Sequence, residues 1–190
     1  MPTLRPKTGR CPAPGRSHNR PAAAFSFIEL IVVITVVVIL AVVTVPMFAS
    51  MTEQRLRRAS HELAMHLKLA RDLAVATRRH TWVDFDAANE IYRVYIEDPN
   101  TPGRANRIWV PDPVTGSSQL QVTLNQGIWA GVTITTATFG TRTEVEFDRL
   151  GQPYDGLGNL LTSDGTVLLA GGGRSTTVRV VASTGFVCQE

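Results

Sequence analysis

Residues 25–45 form a run of 21 residues in which Glu29 is the only charged side chain. At about 1.5 Å of rise per residue, a helix of that length extends ~30 Å, the thickness of one hydrocarbon core. The run predicts a membrane helix, and the rest of the chain must be built from its far end. Glu29 stands five places into the run. A carboxylate costs on the order of 3 kcal/mol at the centre of such a helix, and less near an end, so a partner is expected for it.

Ahead of the run, Arg5, Lys7, Arg10, Arg16 and Arg20 stand without a single acid. Unopposed charge on that side holds the amino end in the cytoplasm and sends the rest of the chain outward. Arg55, Arg57 and Arg58, on the other side, weaken this bias without reversing it. Ala22-Ala23-Ala24 has the small residues of a secretory cleavage site, but it precedes the apolar region, whereas signal peptidase cuts after it.

A basic leader, then Ala24, then Phe25, with Ile28, Glu29 and Leu30 opening an apolar helix, resembles the class III signal of type IV prepilins and type II secretion pseudopilins. The resemblance implies that prepilin peptidase cuts between Ala24 and Phe25 and N-methylates Phe25. It also implies that Glu29, fifth in the mature chain, pairs with the Phe25 amine of a neighbouring subunit and sets the assembly register. Such a pair answers the need for a partner, since a buried carboxylate is tolerable when a cation meets it. Ala24 stands where the family usually has Gly, and Ser26 and Phe27 where Thr and Leu are usual. Pro46, twenty-second in the mature chain, falls where type IV pilins commonly have a Pro. Its ring and missing N–H predict that it ends or bends the helix.

Processing changes the electrostatic picture. The formal charge of +3 includes five leader bases, and without them 14 Lys and Arg face 16 Asp and Glu. A mature chain near −2 gives little electrostatic basis for nucleic-acid binding. Of the two cysteines, Cys11 leaves with the leader and Cys188 stays alone, so packing rather than a disulfide must hold the fold. Roughly 140 residues beyond the anchor suffice for one modest core.

Leu56, Ala59, Leu63, Leu67, Ala70 and Ala74 recur at spacings of three and four, with Met65, Leu69 and Leu73 widening the stripe. The spacing predicts an amphipathic helix over 46–80 continuing the anchor. Its outer face carries Arg57, Arg58, His61, Glu62, His66, Lys68, Arg71 and Asp72, with Arg58 and Glu62 placed to pair at i,i+4, and Arg78, Arg79 and His80 close it. The period then changes to two, predicting a hairpin from 81–85 and 90–96 around Asp86-Ala87-Ala88-Asn89. Residues 97–118 hold four prolines and form a long loop interrupted by Ile108-Trp109-Val110. Further strands are expected at 120–124, 128–134, 143–147, 166–170 and 176–182, with Gly171-Gly172-Gly173 as a turn. The fold class is α+β: a long amino-terminal hydrophobic helix packed on a carboxy-terminal antiparallel β domain, residues 81–190.

This order narrows the resemblance. Ala70-Arg71 inside an Ala- and Leu-rich helix, the Trp82 to Ile96 hairpin, Phe147-Asp148 followed by Gly151, and a last strand ending near Gly185 resemble the GspH and FimT group of minor pseudopilins.

Catalytic and metal motifs do not assemble. His61 and His66 are five apart, about 140° around a helix, whereas the HExxH zinc helix spaces its histidines by four; both are expected as exposed helix residues. The Asp84, Asp86, Asn89 and Glu90 group has Tyr95 where a calcium loop needs a bidentate Glu. Asp155, Asn159 and Asp164 lie where some major pseudopilins bind calcium, and that remains open. Gly171 to Ser175 lacks the Lys of a phosphate loop, and His80 has no local Ser or Cys motif. Trp109 and Trp129 are expected in the core. No enzyme activity, metal or cofactor is expected.

The leading reading is a minor pseudopilin of a type II secretion system in the inner membrane, with its β domain in the periplasm. Its partners would be prepilin peptidase, other pseudopilins or pilins, the inner-membrane assembly platform and lipid. One alternative is a type IV pilus minor pilin, whose DNA-uptake branch binds DNA through bases near the carboxyl end; here no base follows Arg179. Another is a single-pass anchored β domain with no filament role, for which Glu29 would be replaceable by Leu.

Overall fold

The computed structural model describes residues 26–190, and of residues 42–50 the backbone alone. The Ala24-Phe25 junction, the leader with Cys11, and the side chain of Pro46 lie outside the described residues. The chain divides into two units, the first ending at Ala41 and the second comprising Val42–Glu190. One helix, α1 (Phe27–Thr77), contributes to both, so Pro46 does not end the helix.

In the first unit the described side chains are aliphatic or aromatic on every face, apart from Ser26, Glu29 and Thr35. All of them are exposed in the isolated chain. A helix that is apolar all round needs lipid or other helices to cover it. Thr35 turns its hydroxyl inward, donating to the Ile31 carbonyl at 2.7 Å. Among the described residues no helix is long and apolar enough to cross a membrane; residues 42–45, which complete the run, lie outside those whose side chains are described.

In the second unit, the stripe from Leu56 to Ala74 is buried as its spacing requires, and Ser60 and Ala64 join it. Each fully buried Leu contributes about 2 kcal/mol. The helix ends three residues earlier than the sequence suggested. Arg78 takes a left-handed φ of 53°, and the Arg79 N–H reaches back to the Ala74 carbonyl at 3.2 Å. This closure normally favours Gly, and here a base occupies it.

The β domain has two antiparallel sheets. The first runs β3 (Ile108–Trp109), β2 (Ile91–Ile96), β1 (Thr81–Asp86), β6 (Glu144–Phe147), β7 (Pro153–Asp155), with β4 (Gln121–Thr123) also on β2. The second runs β10 (Val187–Gln189), β9 (Arg174–Val180), β8 (Gly165–Gly171), β5 (Val132–Thr138). Alternation explains β8, where Gly165, Val167, Leu169 and Gly171 face inward. The two-residue turn into β9, Gly172-Gly173, has φ of 62° and 78°, values that Gly adopts without steric cost. Phe139 fills the space beside Gly165, where a Cβ would collide with its ring. Its own ring lies 5.7 Å from that of Phe85. The helix stripe and residues from both sheets form one core cluster.

Several expectations are corrected. His66 is buried, and its Nδ1 lies 2.9 Å from the Tyr92 hydroxyl. Met65 faces solvent rather than the core. Arg58 and Glu62 do not pair; Arg57 instead meets Glu53 at 2.9 Å, one turn back. Gly127–Trp129 is a 3-10 turn, so Ile128 is exposed while Trp129 is buried. Trp109 is half-buried, 4.6 Å from the Tyr95 ring, and the last strand lies beyond Gly185 rather than ending there.

Candidate assembly and docking surfaces

Glu29 lies in the first turn of α1. The positive end of the helix dipole favours an acid there. Among the described residues no cation pairs with its carboxylate, which is exposed beside Phe27 and Ile28. The other expected processing and assembly positions, Ala24 and Phe25, lie outside the described residues.

The second surface is built by the Pro-rich loop. Glu144, buried on β6, forms ion pairs with both Arg104 and Arg107, which pins the start of the loop to the first sheet. Arg107 also lies over the Tyr95 ring at 4.2 Å. Further along, Asp112 organises a turn: its carboxylate accepts from the Val114 N–H at 2.8 Å and the Thr115 hydroxyl at 2.6 Å. The loop closes on itself where the Leu120 N–H donates to the Val110 carbonyl at 2.7 Å.

This folded loop leaves an apolar groove on each side. One, of about 670 Å³, lies between helix residues Arg58, Glu62 and Met65, the loop's Asp112 and Val114, and Trp129. Met65 is 55% exposed, Val114 84% and the adjoining Ile128 73%, an unusual concentration of bare apolar surface. The other, of about 510 Å³, is lined by Leu69, Leu73, Ile108, Trp109 and Pro113, among others.

The larger groove has a charged end. Burial, and then the nearby Asp112 carboxylate, raise the pKa of Glu62. Burial lowers that of His66, against the pull of Asp112, and burial holds Tyr92 well above the usual phenol range. The Tyr92 hydroxyl and the His66 imidazole therefore meet as a neutral pair. Glu62 itself has no cationic partner among the described residues.

The acids weighed as calcium ligands have other tasks. Asp86 accepts from the Asn89 N–H at 3.1 Å, Asp155 from the Leu157 and Asn159 N–H groups at 2.9 Å, and Asp164 from the Ala182 N–H at 2.9 Å. Among the described residues no three His, Cys, Asp or Glu side chains gather to hold a metal.

In the second unit, the stretch of α1 from Leu56 to Ala74 packs on residues of both antiparallel sheets. The family described as Type II transport protein GspH matches residues 59–185. The chain belongs to the GspH family. The matched span contains the amphipathic stripe from Ala59, the folded loop and the residues lining both grooves except Arg57 and Arg58. Two structures of the minor pseudopilin EpsH from the type II secretion system of Vibrio cholerae superpose with a TM-score of 0.51. Their identities are 12% and 10%, and each covers 72% of this chain and 96% of EpsH. The type IV minor pilin FimU of Pseudomonas aeruginosa gives a TM-score of 0.48 at 15% identity, covering 73% of this chain and 90% of FimU. No curated protein matches in sequence. EpsH shares the α+β fold, and GspH membership supports a minor pseudopilin or pilin.

Proposed function

We propose that this GspH-family chain is a minor pseudopilin of a type II secretion system, processed to begin at Phe25, anchored in the inner membrane by residues 25–45, and assembled into a periplasmic pseudopilus that moves proteins outward. Residues 46–80 carry the anchor into the β domain, and Pro46 lets the helix bend between the two. One observation carries the reading. A run that is apolar on every side, with an unpaired acid in its first turn, precedes a GspH-family domain. An exposed apolar helix must be covered, and a carboxylate taken into that cover needs a cation. The amine at Phe25 of a neighbouring subunit has the right charge and chain position.

Glu29→Leu separates assembly from anchoring. The variant should insert in the membrane and lose residues 1–24 as the parent does, yet fail to restore protein export in a strain lacking the gene. Export restored to the parental level would remove the assembly role of Glu29. Loss of surface pili with export intact would assign the chain to a type IV pilus instead.

A further inference from the structure

The first sheet is buried on both faces around β1 and β6, and only one of those faces belongs to the core. All four residues of β6 are buried. Val145 and Phe147 join the core cluster, whereas Glu144 and Glu146 alternate with them and face the other way. Trp82 shares that outer side, since it stands opposite Glu146 on one neighbouring strand and Tyr95 on the other. It is 2% exposed, yet it lies outside the core cluster, so something other than the helix and the second sheet covers it.

The cover is the segment 98–107, whose two fastenings bracket Trp82. At one, Glu97, whose N–H donates to the His80 carbonyl at 2.8 Å, accepts from the Gly103 N–H at 3.0 Å. At the other, Arg104 and Arg107 meet Glu144, which stands opposite Asp84. His80 and Asp84 flank Trp82 two residues to either side, so a chain that runs between the fastenings crosses the indole. Nothing apolar holds this segment down. None of its side chains is buried, and it rests on ion pairs, one backbone donor and the Arg107 guanidinium over the Tyr95 ring. A segment with so little apolar burial opens locally at low cost. It nevertheless keeps its own shape: the Asp98 carboxylate accepts from the Asn100 N–H and the Thr101 hydroxyl, each at 2.9 Å, and Pro99 and Pro102 fix two φ angles. Gly103, at a φ of 124°, supplies a bend that other residues rarely adopt. Beneath it, Trp82 Nε1 is buried with no hydrogen-bond partner among the described residues. A buried donor left unpaired favours any state in which water reaches it.

We propose that residues 98–107 form a strap, latched by Glu144, that opens as one piece and bares Trp82 while the helix and both sheets stay folded. Trp82, Tyr95 and Trp109 stand opposite one another across β1, β2 and β3. Opening therefore uncovers a row of aromatic side chains together with an indole N–H that needs an acceptor. The closed strap withholds this row, and release of a single carboxylate presents it. The device goes beyond the filament reading and does not depend on it.

Hydroxyl-radical footprinting of the full-length chain in detergent, read by mass spectrometry, reports on Trp82, Trp109 and Trp129 at once. In the parent, Trp82 should be protected like Trp129 in the core, while half-buried Trp109 oxidises. Glu144→Gln should raise Trp82 oxidation about tenfold, as expected for losing hydrogen bonds to a charged group, and leave Trp129 protected. Arg104→Gln combined with Arg107→Gln should do the same from the other side of the latch. Trp82 still protected in both variants would overturn the proposal, because the strap would then be held elsewhere. Trp82 and Trp129 exposed together would also overturn it, because the opening would then be unfolding of the whole domain. Either result leaves processing at Phe25 and the export phenotype of Glu29→Leu standing as separate tests of the filament reading.

Discussion

Glu62 combines two disadvantages in the isolated chain, partial burial and the neighbouring Asp112 carboxylate, and both favour its protonated form. The folded state therefore holds this proton more tightly than the unfolded chain, whose carboxyl titrates near 4.5. Stability attributable to this group falls as the pH rises from that value through the raised folded pKa, and stays lost above it. Glu62→Gln should accordingly melt at a higher temperature than the parent at pH 7 and at the same temperature at pH 3.5. A scan of melting temperature against pH reads this directly; a variant that melts lower at pH 7 would mean the carboxylate has a partner in solution. His66 illustrates why single residues were hard to read. Its spacing from His61 ruled out a zinc pair, and although it stands three after Leu63 and four before Ala70, on the flank of the buried stripe, the partner that satisfies its ring there, Tyr92, is 26 residues away.

Among the elements, the Pro-rich loop depends on one buried acid. Glu144 draws Arg104 and Arg107 to the edge of β6, and without it two guanidiniums would lose their acceptor. Glu144→Ala should reduce stability by roughly 1–3 kcal/mol, the range for losing a buried charged hydrogen-bonding group. It should also open residues 97–107 to limited proteolysis while the β1–β2 hairpin stays protected; cleavage unchanged from the parent would show that the loop is held elsewhere. The hairpin was legible in the sequence because two runs rich in aromatic and β-branched residues flank an Asp-Ala-Ala-Asn turn, although burial alternates strictly on β2 alone and on β1 only from Val83 onward. β7 and β10 were not, since three residues hold no readable period and their pairing with β6 and β9 defines them. Met65 stands four before Leu69 and eight before Leu73, which suggests that it widens the stripe, yet at 100° per residue it lies about 200° from Leu63 and from Leu67, on the opposite side.

On the scale of the whole molecule, the proposed assembly segment and the larger groove differ in how sequence encodes them. The assembly segment is contiguous, so Phe25, Glu29 and the apolar run stand together in the chain and carry their meaning by order. The larger groove joins residues 57–66, 112–115 and 128–129, which only folding brings side by side. The GspH-family match begins beyond the assembly segment and spans the residues lining the groove apart from Arg57 and Arg58. What links them is the claim that one mature chain begins at Phe25, and intact-mass spectrometry of the protein from its native membrane measures that claim most directly. The account predicts a mass equal to residues 25–190 with one added methyl group at the amino terminus. A chain that retains residues 1–24 would contradict it.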